Sequence, residues 1–259
     1  SGYKAGLRVA VVLMVTGSGP QSRDEEVFHH KPFLVLSDYL ARHGIASLRY
    51  DDRGTGQSTG NYATATSRDL ADDAACGLGY LQTLKQFSRV GILGHSEGGG
   101  IAYMLGSEGR PDFIVSLAGP ACKIDTLMLL QLNALGRVQG LTADRFHTVA
   151  QVRQLLAKAD TSVWMKYFLD WDLTPYVRAT RCPVLALGGE SDLNVPVRLN
   201  VPALEANLPK NKKNMVKTYP GLSHMLQHNP TGDPGKSAAI EETVAPEVLE
   251  DIVQWVNSL

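Results

Sequence analysis

Apolar and polar positions change period repeatedly along the chain. Residues 9–15 form an unbroken apolar run rich in valine, which predicts a strand buried on both faces. Residues 32–43 then place Phe33, Leu36 and Leu40 on one helical face, and Gly44 supplies a C-terminal cap. A strand over 45–50 follows. Next comes a helix over 70–81, with Leu70, Ala74, Leu78 and Leu81 on one side. A strand at 90–93, a helix over 96–105 and a strand over 113–118 continue the alternation. It lapses after Ala118: residues 122–178 carry helical periodicity and no strand. Strands at 184–187 and 215–219, separated by a helix around 199–207, restore it. The last helix spaces Val248, Ile252, Trp255 and Leu259 for one buried face, and the Pro- and Gly-rich stretch 229–236 reads as a loop.

Strands separated by helices imply an α/β class: a mostly parallel sheet with helices on both faces. The strandless stretch at about 122–178 is then a helical insertion placed as a cap. The 259 residues show no internal repeat and suit one large domain.

Composition removes several classes of function. Lys and Arg total 25 against 26 Asp and Glu, a net charge of −1, so no global field exists to hold nucleic acid. No run approaches the roughly 18 apolar residues of a membrane span. Cys76, Cys122 and Cys182 are scattered without a Cys-x-x-Cys pair, which argues against a disulfide framework or a zinc site and predicts three buried thiols. Ser1-Gly2-Tyr3-Lys4 lacks the pattern of an export signal, and the sequence enters a core strand almost at once. Oligomeric state and compartment stay open.

One motif carries chemistry. Gly94-His95-Ser96-Glu97-Gly98 is G-x-S-x-G between a predicted strand and a predicted helix, the context of a nucleophile elbow. A serine at so tight a turn needs small neighbours two residues away, and Gly94 and Gly98 provide them. Ser96 then stands at a helix N-terminus, where the dipole favours developing negative charge. The neighbouring His95 should point away from the pocket.

A nucleophilic serine needs a base, and the base needs an orienting carboxylate. The strand at 184–187 runs into Glu190 and Asp192, and the strand at 215–219 runs into His224 and, later, His228. Asp192 and His224 are favoured over Glu190 and His228, in the order Ser…Asp…His. Acyl transfer also needs two oxyanion donors. The N–H of Glu97 is one, and the N–H of Ser18, in Thr16-Gly17-Ser18-Gly19-Pro20, is nominated as the second. Met128, Leu132, Trp164 and Phe168 are the pocket candidates within the cap, which also holds Leu129, Tyr167 and Trp171. Asp51-Asp52-Arg53 follows a strand end and reads chiefly as a loop brace, with substrate contact as the alternative. This chemistry requires no metal and no organic cofactor.

These motifs together resemble bacterial α/β-hydrolases of the EstD-like carboxylesterase group, within the wider set of serine aminopeptidases and acyl-peptide hydrolases. The likeness runs through 15–25, 48–58, 94–98, 189–196, 221–224 and the tail 240–246, in the family's order. It implies the α/β-hydrolase fold, activity toward small-molecule acyl esters, Ser96, Asp192 and His224 as the triad, and a bacterial cytoplasm or periplasm as the setting. Two departures stand out. Ser22 occupies a position where the family usually has Asp. The antiparallel strand pair that usually opens the fold is also missing, so either an N-terminal portion is absent or the sheet is shorter at one edge.

Overall fold

The computed structural model describes residues 9–259. The Ser1–Lys4 start, expected not to be an export signal, lies outside the described residues. Six parallel strands form one sheet: β1 (Val9–Val15), β2 (Ala46–Leu48), β3 (Phe87–His95), β4 (Ile114–Leu117), β5 (Val184–Gly189) and β6 (Met215–Tyr219). Their order is β2-β1-β3-β4-β5-β6. The helices are α1 (Pro32–Arg42), α2 (Ser67–Thr83), α3 (Glu97–Ser107), α4 (Ile124–Val138), α5 (Val149–Ala159), α6 (Val163–Asp170), α7 (Thr174–Ala179), α8 (Val197–Asn207) and α9 (Pro246–Asn257).

Strand alternation sorts the core into two layers. Val11, Leu13 and Val15 of β1 face Leu70, Ala74 and Leu78 of α2 and Ile101 of α3. Val12 and Met14 face the other way, onto Phe33, Leu36 and Leu40 of α1 and Val248, Ile252 and Trp255 of α9. Both faces of the sheet are therefore covered, which is why β1 is apolar at consecutive positions. The local ends obey sequence logic. Thr66 and Asp69 make a reciprocal capping box for α2, and Thr148 and Gln151 make another for α5.

Predicted and observed elements differ mainly at their ends. β2 is only three residues long, against six expected, because it is an edge strand paired to β1 alone. α2 starts three residues earlier than the apolar spacing shows, since its cap, Thr66, is polar. Between β4 and β5 the chain makes four helices and no ladder beyond one antiparallel bridge, Lys123 to Asp172. That bridge, with Ile124 N–H donating to the Trp171 carbonyl at 3.0 Å, pins the two ends of the helical segment together. Cys122 is buried and Cys182 half-buried, but Cys76 is exposed, contrary to expectation. It lies two residues from both Ala74 and Leu78 on α2, hence on the opposite face. No helix among the described residues is long and apolar enough to cross a membrane.

The strand order places a topological switch between β1 and β3. The chain leaves β1 outward to β2 and returns to the far side of β1 as β3. Crevices at such points, beyond the carboxyl ends of parallel strands, are where these sheets hold ligands. The loop after β1 and Ser96 after β3 both open there.

Phe113 is fully buried against Gly91 and lies edge-on to Trp255, its ring centre 6.0 Å away, tying the foot of β4 to α9. Phe113→Ala should cost about 3–5 kcal/mol in chemical unfolding. A loss below about 1 kcal/mol would mean that this side of the sheet is not packed as described.

Candidate active site

Ser96 sits between β3 and α3 with φ 52° and ψ −120°, a region that side chains other than glycine rarely enter. The surrounding backbone over-determines that conformation. Ser96 N–H donates to the Leu117 carbonyl at 2.9 Å, and the Ser96 carbonyl accepts from Gly99 N–H at 2.9 Å. A Cβ on Gly94 would lie 2.1 Å from the Gly98 carbonyl oxygen, and one on Gly98 would lie 2.1 Å from that of Val15. The steric reading of the motif thus has specific atoms behind it. The Glu97 N–H belongs to the first turn of α3 and has no intrahelical partner.

Two further loops reach Ser96. Asp192 follows β5, and its Oδ1 accepts the backbone N–H groups of Asn194 (2.7 Å) and Val195 (2.8 Å). Its Oδ2 lies 2.8 Å from Nδ1 of His224, and Nε2 of His224 lies 3.1 Å from Ser96 Oγ. The two loops are fastened to each other, with Glu190 N–H on the Tyr219 carbonyl and Ser191 N–H on the Leu222 carbonyl, both at 2.9 Å. The Asp192 side chain is wholly buried, and that of His224 is 15% exposed toward the cavity. The rivals lie elsewhere. Glu190 accepts from Thr218 at an exposed position, and His228 pairs with Glu242 and Glu247 at the surface.

The loop after β1 brings its amides to the same edge. Gly17 N–H donates to Glu25 Oε1 at 2.6 Å and Gly19 N–H to Tyr62 Oη at 3.0 Å. The Ser18 N–H between them makes no hydrogen bond among the described residues. The Asp51-Asp52-Arg53 loop braces this region, though its members pair with other elements rather than with each other. Asp51 holds the backbone and guanidinium of Arg23, which keeps its carboxyl well below the usual range. Asp52 accepts from Thr16 Oγ1 and Gln21 N–H, while burial pushes its carboxyl up to about 6. Arg53 clasps Asp73 on α2.

A cavity of about 340 Å³ lies over Ser96. Leu127, Met128 and Gln131 of α4 and Trp164 and Phe168 of α6 line one wall, and Val27, Phe28 and Met225 line another. Of the four predicted pocket residues, Met128, Trp164 and Phe168 are there and Leu132 is not. At 100° per residue, Gln131 takes the turn of α4 that faces the cavity, and Leu132 falls beside it. Trp171, buried at 3%, packs over Gly100 of α3 and so seals the helical segment to the sheet.

Two carboxyls, those of Glu97 and Glu25, belong to the surroundings of this site although the sequence pointed only to the Glu97 backbone. The Glu97 carboxyl, only 1% exposed, accepts from Ser67 Oγ (2.6 Å) and Trp164 Nε1 (3.0 Å), and burial raises its pKa. Glu25 is 2% exposed and meets His95, whose ring borders the cavity. That corrects the expectation for His95. Alternation does turn it from α3 toward the face of Leu93 and Leu117, but the loops bearing Glu25 and His224 fold over that face. Among the described residues, no three His, Cys, Asp or Glu side chains are grouped to hold a metal ion.

A serine on a strand–helix elbow, facing an Asp–His pair across the carboxyl edge of a parallel sheet, defines the α/β-hydrolase class. The chain belongs to the serine aminopeptidase (S33) family, whose sequence model matches residues 28–167. It is 27% identical to the esterase EstD of Thermotoga maritima over 95% of its own length, and it spans 61% of that relative. Solved structures with the same fold include Est1E of Butyrivibrio proteoclasticus with bound ferulic acid. The TM-score is 0.61 at 17% identity, covering 98% of this chain and 90% of that one. A monoacylglycerol lipase of Paleococcus ferrophilus superposes with a TM-score of 0.61 at 18% identity, covering 96% and 94%.

Gly98→Ala should destabilise the protein by at least about 4 kcal/mol or prevent folding, because its Cβ would meet backbone that cannot yield. Urea unfolding of the purified variant measures this, and a midpoint equal to wild type would refute the close approach to Val15.

Proposed function

We propose that this chain is a carboxylesterase that cleaves small-molecule acyl esters through a covalent acyl-enzyme. Ser96 is its nucleophile, His224 its general base and Asp192 the group that orients the base. The observation that carries the reading is the unbroken line Asp192–His224–Ser96, with contacts of 2.8 and 3.1 Å, on the floor of a largely apolar cavity. Asp192 fixes the imidazole with Nδ1 as donor, so Nε2 is left to accept the Ser96 proton. Ser96 Oγ attacks the ester carbonyl. The resulting oxyanion is stabilised by Glu97 N–H and Ser18 N–H, the second supported by elimination, since both of its neighbours' amides are already engaged. His224 passes its proton to the departing alcohol, and water then repeats the sequence on the acyl-enzyme.

The helical segment over 122–178 serves as the cap, and its apolar wall suits short to medium acyl chains. Amide hydrolysis is the second reading, favoured by the family's description. It is less well supported, because Glu25 and Glu97, the two acidic residues of the cavity lining, are almost wholly buried and so present little carboxylate surface to a substrate ammonium group. A silent binding protein would have no use for the complete Asp–His–Ser line.

Ser96→Ala should lower turnover of p-nitrophenyl acyl esters by about 10⁶-fold and abolish labelling by a fluorophosphonate. Retained turnover in that variant would overturn the assignment. A panel of acyl esters against aminoacyl arylamides separates the two hydrolase readings, with kcat/KM expected to favour the esters.

A further inference from the structure

His95 immediately precedes the nucleophile, yet the reaction as written gives it no task. Its ring nonetheless joins two loops. Nδ1 lies 2.9 Å from Glu25 Oε1, and Nε2 lies 3.1 Å from the main-chain oxygen of His224. The same Glu25 oxygen accepts the Gly17 N–H at 2.6 Å. With Glu25 ionised, its carboxylate and the carbonyl can only accept, and both imidazole nitrogens then carry protons. The surroundings favour that charged ring. Burial opposes it, but the facing Glu25 carboxylate outweighs burial and moves His95 up to about 9, with Asp192 acting in the same direction. The His224 ring stands 4.9 Å away, Phe33, Leu117 and Met225 add apolar surface nearby, and one side of the ring borders the cavity. The pair is nearly dry, with side chains 11% and 3% exposed.

The Glu25 segment also stores strain. Glu25, Phe28 and His29 have φ of 53°, 51° and 65°, and none is glycine. Such backbone persists where neighbouring contacts enforce it, often beside a functional site. Phe28 and His29 form the corner of a tight turn in which Val27 and His30 exchange N–H to carbonyl bonds of 3.0 and 2.9 Å, while Glu25 is held by the two bonds to its Oε1 and by its N–H on the Ser22 carbonyl at 2.8 Å.

We propose that Glu25 and His95 are a positioning pair that fixes the loop offering the Ser18 N–H against the loop carrying His224. Oxyanion donor and base then hold their register while the acyl carbon passes through tetrahedral geometry. Neither residue is a catalytic residue; both act through the groups they hold. The inference rests on the hydrolase reading above. Its chemistry is distinct from the Asp192–His224 contact: one histidine stays charged as a strut, and the other must lose and regain a proton.

Glu25→Gln is the test, since glutamine keeps the shape and an acceptor oxygen but removes the charge. Its kcat should fall about 10- to 100-fold with KM changed less than about twofold, as expected for a small displacement of transition-state donors. A raised native pKa also sets the sign of the pH effect, because the strut is intact below it and lost above. Wild-type kcat should therefore decline as pH rises through about 9, and the decline should move to lower pH in Glu25→Gln. NMR of the imidazole nitrogens should show His95 doubly protonated in wild type at about pH 7.5, a readout that needs no turnover and no variant. Wild-type kcat in Glu25→Gln, or a neutral His95 in the wild-type spectrum, would overturn the proposal. Failure of the hydrolase reading looks different: Ser96→Ala would keep its activity while the His95 spectrum stayed as described.

Discussion

The constraint on which the site depends is the backbone of Ser96. Its positive φ raises the side chain off the end of β3 and starts α3 at once, and this is possible only because α3 lies against the neighbouring strands with no side chain between. Gly94, Gly98 and Gly99 each face backbone or a serine hydroxyl at distances that a Cβ could not occupy. Close approach by α3 in turn sets the floor of the cavity and puts the Glu97 N–H beside the serine. The conformational cost is carried by the sheet: β1, β3 and β4 are buried around it, and the Ser96 amide is held by Leu117 of β4. Strain at a functional position is tolerated where the surroundings leave no alternative.

Around this elbow, charge is arranged with economy. Glu25, Asp52 and Glu97 are all buried near the serine, an arrangement that costs free energy unless each carboxyl finds donors. Asp52 takes Thr16 and Gln21, Glu97 takes Ser67 and Trp164, and Glu25 takes Gly17 and His95. Each set of donors joins elements distant in sequence, so the carboxyls act as fasteners between the loop after β1, α2, α6 and the loop after β6. Burial keeps the Asp52 and Glu97 carboxyls harder to ionise than usual.

The sheet was legible because its strands are either continuously apolar or flanked by glycine and proline, as at β1 and β6. α1 and α9 showed a strict apolar face for the same reason: each covers the sheet on one side only. The meeting of Ser96, Asp192 and His224 was also readable, since a parallel sheet delivers every strand's carboxyl end to one edge. What the sequence hid depends on loop paths. Nothing in the pattern of residues 20–30 shows that Glu25 returns to cover β3, and without that return the direction of His95 has no meaning for the site. Cys76 and Leu132 were misplaced for a simpler reason: composition says a residue is apolar, but only helix phase and tilt say where it faces.

The helical segment between β4 and β5 supplies the aromatic wall of the cavity over Ser96. Its ends are pinned by the Lys123–Asp172 bridge and its body is sealed by Trp171 over α3, so its rotation relative to the sheet is restrained. Trp164 stacks on Phe168, with ring centres 4.7 Å apart, while its indole N–H is spent on Glu97. The aromatic wall is therefore tethered to the residue that follows the serine, rather than free to swing. Gln131, the polar member of the α4 wall, breaks an otherwise apolar surface and offers a donor and an acceptor to whatever lies against it. A cavity with rigid aromatic walls and one amide fixes orientation by shape first and by a single polar contact second. Selectivity within this site is accordingly expected to follow the bulk and polarity of the group lying against α4 and α6 more than the charge of the substrate.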